Sequence, residues 1–272
     1  MTSRGRLEGQ VGIVTGGGRG LGAELAKALS REGMRLALAG RSRPSLEKVA
    51  AELETQALAI PTDVTLSWAV RKLVERAEAE LGPVDLLINN AGITEHGPIW
   101  ETTPEDWWQV LEVNLKGPYL CSRAVLEYMV PRGHGRIVNV SSYVGNAPNA
   151  DQTAYAVSKA ALTRLTDSLA AQTEQHGVQV FAISPGLLET DMGVALQRRR
   201  GQLETTEWVP KGLSGNLVLR IAAGELDPLS GLMIHATDEV GDMLRRIDEI
   251  DGQQLYQLRF QKLRPPETHG QS

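Results

Sequence analysis

Seven short, almost wholly apolar runs recur along the chain: VGIVTG (11–16), RLALAG (35–40), ALAIPTD (57–63), DLLINN (85–90), GRIVNVSS (135–142), VQVFAIS (178–184) and GLMIHA (231–236). A strand with one wet face alternates apolar and polar residues. Runs that are apolar at nearly every position belong to strands covered on both faces, the habit of parallel sheets. Between them lie amphipathic segments such as LGAELAKALSREG, SLEKVAAELE and SWAVRKLVERAEAELG, long enough for right-handed crossover helices. This alternation predicts an α/β fold, a Rossmann-like doubly wound sheet of about seven parallel strands with helices on both faces.

With 272 residues, 42% of them hydrophobic, the chain can bury a large core. No proline-rich linker, repeat or low-complexity segment divides it before the tail, so the expectation is a single domain over residues 1–272. Lysine and arginine total 28 against 33 acidic residues, a net charge of -5, which gives no reason to expect nucleic acid or an anionic membrane. Cys121 is the only cysteine, so no internal disulfide forms. The N-terminus has no apolar h-region and no run approaches a membrane span, so the expectation is a soluble cytoplasmic protein. His96, His134, His176, His235 and His269 lack metal-ligand spacing and read as loop or surface residues, with no metal site. The last residues, RPPETHGQS, read as a frayed end.

The first apolar run passes straight into TGGGRGLG (15–22), followed by a helical pattern. Glycines there let the backbone turn tightly and approach a ligand, and the helix N-terminus offers free N–H groups to a pyrophosphate. A plain strand-to-helix turn also uses glycine; strand before and helix after are the context that a nucleotide turn requires. The spacing GxxxGxG (Gly16, Gly20, Gly22) is joined by NNAG (89–92), by Asn114 in EVNLKG, by Ser142, Tyr155 and Lys159, and by PGLLETDM (185–192). On these motifs the chain resembles the short-chain dehydrogenase/reductase family from about Leu7 to Met192.

The resemblance implies a nicotinamide dinucleotide cofactor. Thr15, Gly16, Gly18, Arg19, Gly20, Leu21 and Gly22 would form its pyrophosphate turn, Asp63 and Val64 would lie at the adenine, and Asn90, Ala91 and Gly92 beneath the adenosine side. Pro185, Gly186, Leu188 and Thr190 would line the nicotinamide side, with Tyr155 and Lys159 shared between cofactor and chemistry. An acidic residue ending the second strand would accept the ribose hydroxyls of NAD. Here Gly40 stands at that point, followed by Arg41, whose planar fork suits a 2′-phosphate, and Ser42, with Arg19 as a second cation. The expectation is NADP(H), with NAD(H) the alternative.

Tyr155 and Lys159 lie four residues apart, one turn along a helix face. On a helix surface such a pair is ordinary; in this family's site the tyrosine is the general acid/base. A nearby ammonium favours phenolate, so Lys159 is expected to lower the Tyr155 pKa and to anchor the nicotinamide ribose. Ser142 would hold the substrate oxygen. Asn114 would relay protons through a water, unless it merely bonds helix backbone. Ser141 competes with Ser142, and the count to Tyr155 selects Ser142.

The expected reaction is reduction of a ketone or 3-oxoacyl-like carbonyl to a secondary alcohol. The alternatives are an NAD-dependent secondary alcohol or sugar dehydrogenase, and a non-catalytic NADPH-binding regulatory or scaffold subunit. His96, Trp100, Tyr143, Asn149, Leu187 and Leu188 are candidate pocket walls. Trp107 and Trp108 read as core or helix interface, and Arg198, Arg199 and Arg200 as a solvated face of the lid segment. The resemblance implies a homodimer or homotetramer, but it weakens over 193–272. There Asp238 to Ile250 predicts one extra amphipathic helix whose apolar stripe needs cover from its own subunit or a partner.

Overall fold

The structure is a computed structural model and describes residues 5–259. β1 (Val11–Thr15), α1 (Gly20–Arg31), β2 (Arg35–Gly40), α2 (Arg43–Ala51), β3 (Ala57–Pro61), α3 (Ser67–Glu80) and β4 (Val84–Asn89) follow in order. Next come α4 (Pro104–Leu111), a π-helical turn (Glu112–Lys116), α5 (Gly117–Arg132), β5 (Gly135–Val140), α6 (Thr153–Thr173) and β6 (Val178–Ser184). The chain continues through α7 (Asp191–Arg199), α8 (Lys211–Ala222), β7 (Met233–His235), α9 (Val240–Arg245) and α10 (Ile247–Gln253).

All seven expected strands form, paired parallel in the order β3-β2-β1-β4-β5-β6-β7. The reason for their unbroken apolarity is visible in β1. Val11 and Ile13 enter a buried layer with Leu73 and Val74 of α3 and Val125 and Met129 of α5, while Val14 enters the opposite layer with Leu25 and Leu29 of α1 and Val218 and Ile221 of α8. Strand order reverses between β1 and β4, and a crevice opens beyond the carboxyl ends of the strands at such a reversal.

The segment expected to form one helix over 238–250 forms two short ones. The backbone breaks at Arg246 (φ -112°, ψ 26°), and its guanidinium bonds Asp242 behind it and Glu249 ahead. The break lets Val240, Met243 and Ile250 all reach the core layer under α1 and α8, so the chain itself covers the stripe. Beyond α10 the chain doubles back along the sheet edge. The Met233 N–H of β7 donates to the Tyr256 carbonyl at 2.9 Å, Arg259 donates to Asp167 of α6 at 2.6 Å, and Arg164 bonds the Leu258 carbonyl.

Trp108, expected as core or helix interface, is 61% exposed on α4 and is not core, because Val110 is the α4 side chain that turns inward. Among the described residues no helix is long and apolar enough to cross a membrane, and no three His, Cys, Asp or Glu side chains gather into a metal-binding group. The expected frayed end, with His269, lies outside the described residues.

Candidate active site

The glycine turn sits at the strand reversal and is held from β4. Thr15 Oγ1 accepts the N–H groups of Asn90 (3.0 Å) and Ala91 (3.1 Å) and donates to the Ile88 carbonyl, while Asn90 Nδ2 donates to the Thr15 carbonyl at 2.9 Å. The turn has no room for a side chain at Gly22, where a Cβ would lie 2.3 Å from the Gly16 carbonyl oxygen and 2.5 Å from Asn90 Nδ2. Gly16 itself needs φ +65°. The α1 N-cap residue, Arg19, contributes no side-chain hydrogen bond to the first turn of the helix. An uncapped N-terminus behind a glycine cradle suits the pyrophosphate of a dinucleotide. A cleft of about 630 Å³ opens beside it, with Gly20 and Thr190 on one wall and Arg198 of α7 and Lys211 of α8 on another.

The candidate catalytic side chains meet just beyond β5. Tyr155 and Lys159 share a face of α6, and Lys159 Nζ lies 5.4 Å from the Tyr155 ring centroid. Lys159 is 4% exposed and donates to the Val140 carbonyl at 2.7 Å. Ser142 faces Tyr155 and draws its pKa down, and its hydroxyl accepts the Val144 N–H at 3.3 Å. Ser141 points the other way, its hydroxyl bonded to the Lys159 carbonyl and to Thr163. Strand alternation therefore separates the two serines as the spacing required.

The electrostatics differ from the expected direction. Burial pushes the Tyr155 hydroxyl above the ordinary tyrosine value, and the opposing pull comes from Ser142 rather than from Lys159. Burial draws the Lys159 ammonium down to about 8. Desolvation penalises the charged form of both groups.

Asn114 is fully buried in the π-helical turn. Its Oδ1 accepts the Ile93 N–H (2.9 Å), and its Nδ2 donates to the Ile93 carbonyl (2.9 Å) and to Ser158 Oγ (3.0 Å), which in turn donates to the Tyr155 carbonyl (2.7 Å). It thus bonds the backbone of a neighbouring loop rather than of its own helix. A Cβ on Gly92 would lie 3.3 Å from Asn114 Oδ1 and 3.8 Å from Lys159 Nζ, so Gly92 lets the two groups face a common space.

Several predicted cofactor residues are engaged elsewhere. Arg19 donates to Asp191 at 3.0 Å. Ser42 caps α2 by accepting the Ser45 N–H. Val64 and Leu188 are buried in the two core layers, and the Thr15 hydroxyl is spent on β4 backbone, so these offer main chain only. Asp63 Oδ1 accepts from the Thr65 N–H and hydroxyl. Burial raises its pKa, yet those bonds and the nearby Arg41 and Lys116 hold it below the ordinary carboxylate value. Arg41 is exposed and makes no ion pair among the described residues. Of the pocket candidates, Trp100 is 82% exposed, Tyr143 stacks at a tilt on His235 (5.1 Å), and His96 bonds Asp151 at 3.3 Å.

The sequence reading missed Glu95. It is 8% exposed, and its carboxylate accepts the N–H groups of Ala154 (2.5 Å) and Tyr155 (3.0 Å). Nothing local announces this, since an acid in a loop reads as solvated and its partners lie 59 and 60 positions away.

The model of the family described as short chain dehydrogenase matches residues 10–201. The chain belongs to the short-chain dehydrogenase family. It is therefore an oxidoreductase acting on CH–OH or carbonyl groups with a nicotinamide dinucleotide. A short chain dehydrogenase of Pseudocercospora fijiensis is 42% identical over 196 residues, 70% of this chain and 63% of that protein's length, so the match spans less than two thirds of that relative. The 3-oxoacyl-[acyl-carrier-protein] reductase of Escherichia coli is 33% identical over 84% of this chain and 96% of its own. An actinorhodin polyketide ketoreductase solved with NADPH superposes with TM-score 0.78 at 25% identity, covering 86% of this chain and 97% of its own. Among short-chain dehydrogenases the seven-stranded parallel sheet seen here is the shared fold.

Proposed function

We propose that this short-chain dehydrogenase acts as one domain and uses NADP(H) to reduce a ketone or 3-oxoacyl-like carbonyl to a secondary alcohol, with Tyr155 as proton donor. The observation that carries the reading is the convergence of Ser142, Tyr155 and Lys159 beyond β5, at the same carboxyl end of the sheet as the glycine turn. The activities of two relatives, a 3-oxoacyl-[acyl-carrier-protein] reductase and a polyketide ketoreductase, support the reducing direction.

The reduced nicotinamide, when bound, supplies the hydride. The turn from Gly16 to Gly22 and the open first turn of α1 would hold the pyrophosphate, with Asp63 at the adenine, Asn90 to Gly92 beneath the adenosine, and Pro185, Gly186 and Thr190 on the nicotinamide side. The Ser142 hydroxyl holds the substrate oxygen and stabilises charge gathering there. Tyr155, its pKa raised by burial, is fully protonated at neutral pH and gives its proton to that oxygen, the phenolic O–H bond breaking as the alcohol O–H forms. The phenolate left behind is favoured by the Ser142 hydroxyl, while Lys159, with a pKa of about 8 and so largely charged at pH 7, stands one turn along the helix. Asn114, facing the same space, orders the water that returns the proton.

Arg41, exposed after Gly40 and without an ion pair among the described residues, favours the 2′-phosphate of NADP(H). The second reading, an NAD-linked dehydrogenase, gains from Arg19, whose pairing with Asp191 removes one cation from the phosphate position. The family resemblance implies a homodimer or homotetramer, and Trp108 on α4 with Tyr119 and Tyr128 on α5 offers exposed apolar surface for it.

One experiment tests the reading: loss of NADPH and NADH absorbance with a panel of β-ketoesters, ketones and keto-sugars. Tyr155→Phe should lower kcat about 10²- to 10⁴-fold, the range for a lost general acid. Arg41→Ala should raise KM for NADPH about tenfold, one broken charge-assisted contact, and leave NADH unaffected. Equal rates in Tyr155→Phe remove the assigned acid, and unchanged NADPH preference in Arg41→Ala removes the clamp. A chain inert to the whole panel while still binding NADPH would support the non-catalytic reading.

A further inference from the structure

The geometry points to Glu95 as a positioning residue for Tyr155, a carboxylate from the loop after β4 that fixes the first turn of α6 and with it the proton donor. The inference rests on Tyr155 being the acid. α6 is 21 residues long, and its own N-cap residue, Gln152, makes no side-chain capping bond. The open N–H groups of Ala154 and Tyr155 are instead taken by the two oxygens of Glu95, at 2.5 and 3.0 Å. A charged acceptor on backbone N–H groups at a helix N-terminus forms among the stronger protein hydrogen bonds and is favoured by the helix dipole.

The loop that carries Glu95 is itself tied down at every neighbouring residue. Ile93 is bonded through both its N–H and carbonyl to Asn114, Thr94 Oγ1 accepts from Gln152 Nε2 (2.8 Å), and the Gly97 N–H donates to the Asp151 carbonyl (2.9 Å). The Ser158 hydroxyl closes the circuit between Asn114 and the Tyr155 carbonyl. Tyr155 is thus gripped through its N–H by Glu95 from the loop after β4 and through its carbonyl by Ser158, one turn along α6 and itself held by Asn114, while its hydroxyl faces Ser142 beyond β5. Burial of a carboxylate is unfavourable unless its bonds are made, so a buried Glu at this place marks a constraint on geometry rather than a solvated charge.

The test uses the full chain with NADPH and the same ketone panel, on wild type, Glu95→Gln, Glu95→Ala and Tyr155→Phe, alongside thermal unfolding and a spectrophotometric titration of the Tyr155 phenol taken as wild type minus Tyr155→Phe. Gln keeps the volume and one acceptor oxygen but turns an NH₂ group toward a second N–H donor. Glu95→Gln is expected to lower kcat about tenfold, equivalent to about 1.4 kcal/mol, with KM for NADPH within about twofold of wild type, because the glycine turn on β1 is untouched. The phenol titration is expected to move by about half a unit or more from its wild-type midpoint as the Ser142 contact loosens. If Glu95→Ala does not fold, the Gln variant alone decides. A folded Glu95→Gln with wild-type kcat and phenol titration overturns the positioning role, as does a variant whose kcat and NADPH affinity fall in parallel. Full activity in Tyr155→Phe fails the acid assignment itself and is distinguishable from either result.

Discussion

Lys159 is the residue whose chemistry depends most on where it is buried. In the folded chain it loses its proton near pH 8, whereas its ordinary value is 10.5. Between those two values the unfolded chain binds more protons than the folded one, so Lys159 makes stability rise as pH increases from about 8 to 10. Below that window the buried ammonium costs on the order of 3 kcal/mol relative to a solvated one. Lys159→Met should flatten this rise; urea unfolding at pH 8, 9 and 10 checks it, and equal slopes in wild type and variant would show that the lysine is not desolvated. Tyr155 has the opposite sign, its raised pKa favouring the folded state only below its own titration, which lies above the window. The pair is thus held as neutral phenol and readily deprotonated amine, a poise that helix spacing alone could not reveal. Spacing gave the neighbours; burial gave the direction.

Among the elements, the turn between β1 and α1 is the one whose sequence and shape correspond most closely. Glycine at position 22 is required because the Gly16 carbonyl and Asn90 Nδ2 occupy the space of a Cβ, and both belong to groups that hold β1 to β4. Gly22→Ala should push the turn open, costing about 1 to 3 kcal/mol as an overpacked site does, and raise KM for NADPH about tenfold or more. Differential scanning calorimetry and cofactor titration measure the two effects; unchanged values would mean the turn relaxes freely. α6 was legible as a helix, but its N-terminus was not, because the capping carboxylate arrives from another part of the chain. The π-helical turn around Asn114 was likewise hidden. Its sequence, EVNLK, differs little from an ordinary helical stretch, and the wider turn is coupled to Asn114 reaching Ile93 and Ser158 together.

For the whole molecule, the departure from the family pattern at the C-terminus has a physical role at the sheet edge. β7 is three residues long and ends the sheet, and its outward Met233 N–H is satisfied by the Tyr256 carbonyl of the returning chain. Exposed strand edges pair with other chains, and covering them is one of the common remedies. Deleting residues 254–272 should therefore raise self-association, read as a larger hydrodynamic mass by light scattering at concentrations where the full chain is unchanged. An identical mass distribution would assign the segment no sealing role. The single helix expected over 238–250 could not have shown this. A periodic apolar stripe says that something is covered, whereas the break at Arg246 depends on Val240, Met243 and Ile250 all reaching one core layer built from distant segments.

The sequence by itself determined the strands, their parallel character, the glycine turn and the Tyr155–Lys159 pair, because burial on two faces, helical periodicity and glycine backbone freedom are written within a few adjacent residues. The tertiary structure alone decided Glu95 as the cap of α6, the diversion of Arg19 to Asp191, the break at Arg246 and the sign of the Tyr155 shift. Each of these depends on desolvation or on a contact between segments distant along the chain, and neither quantity has a local signature.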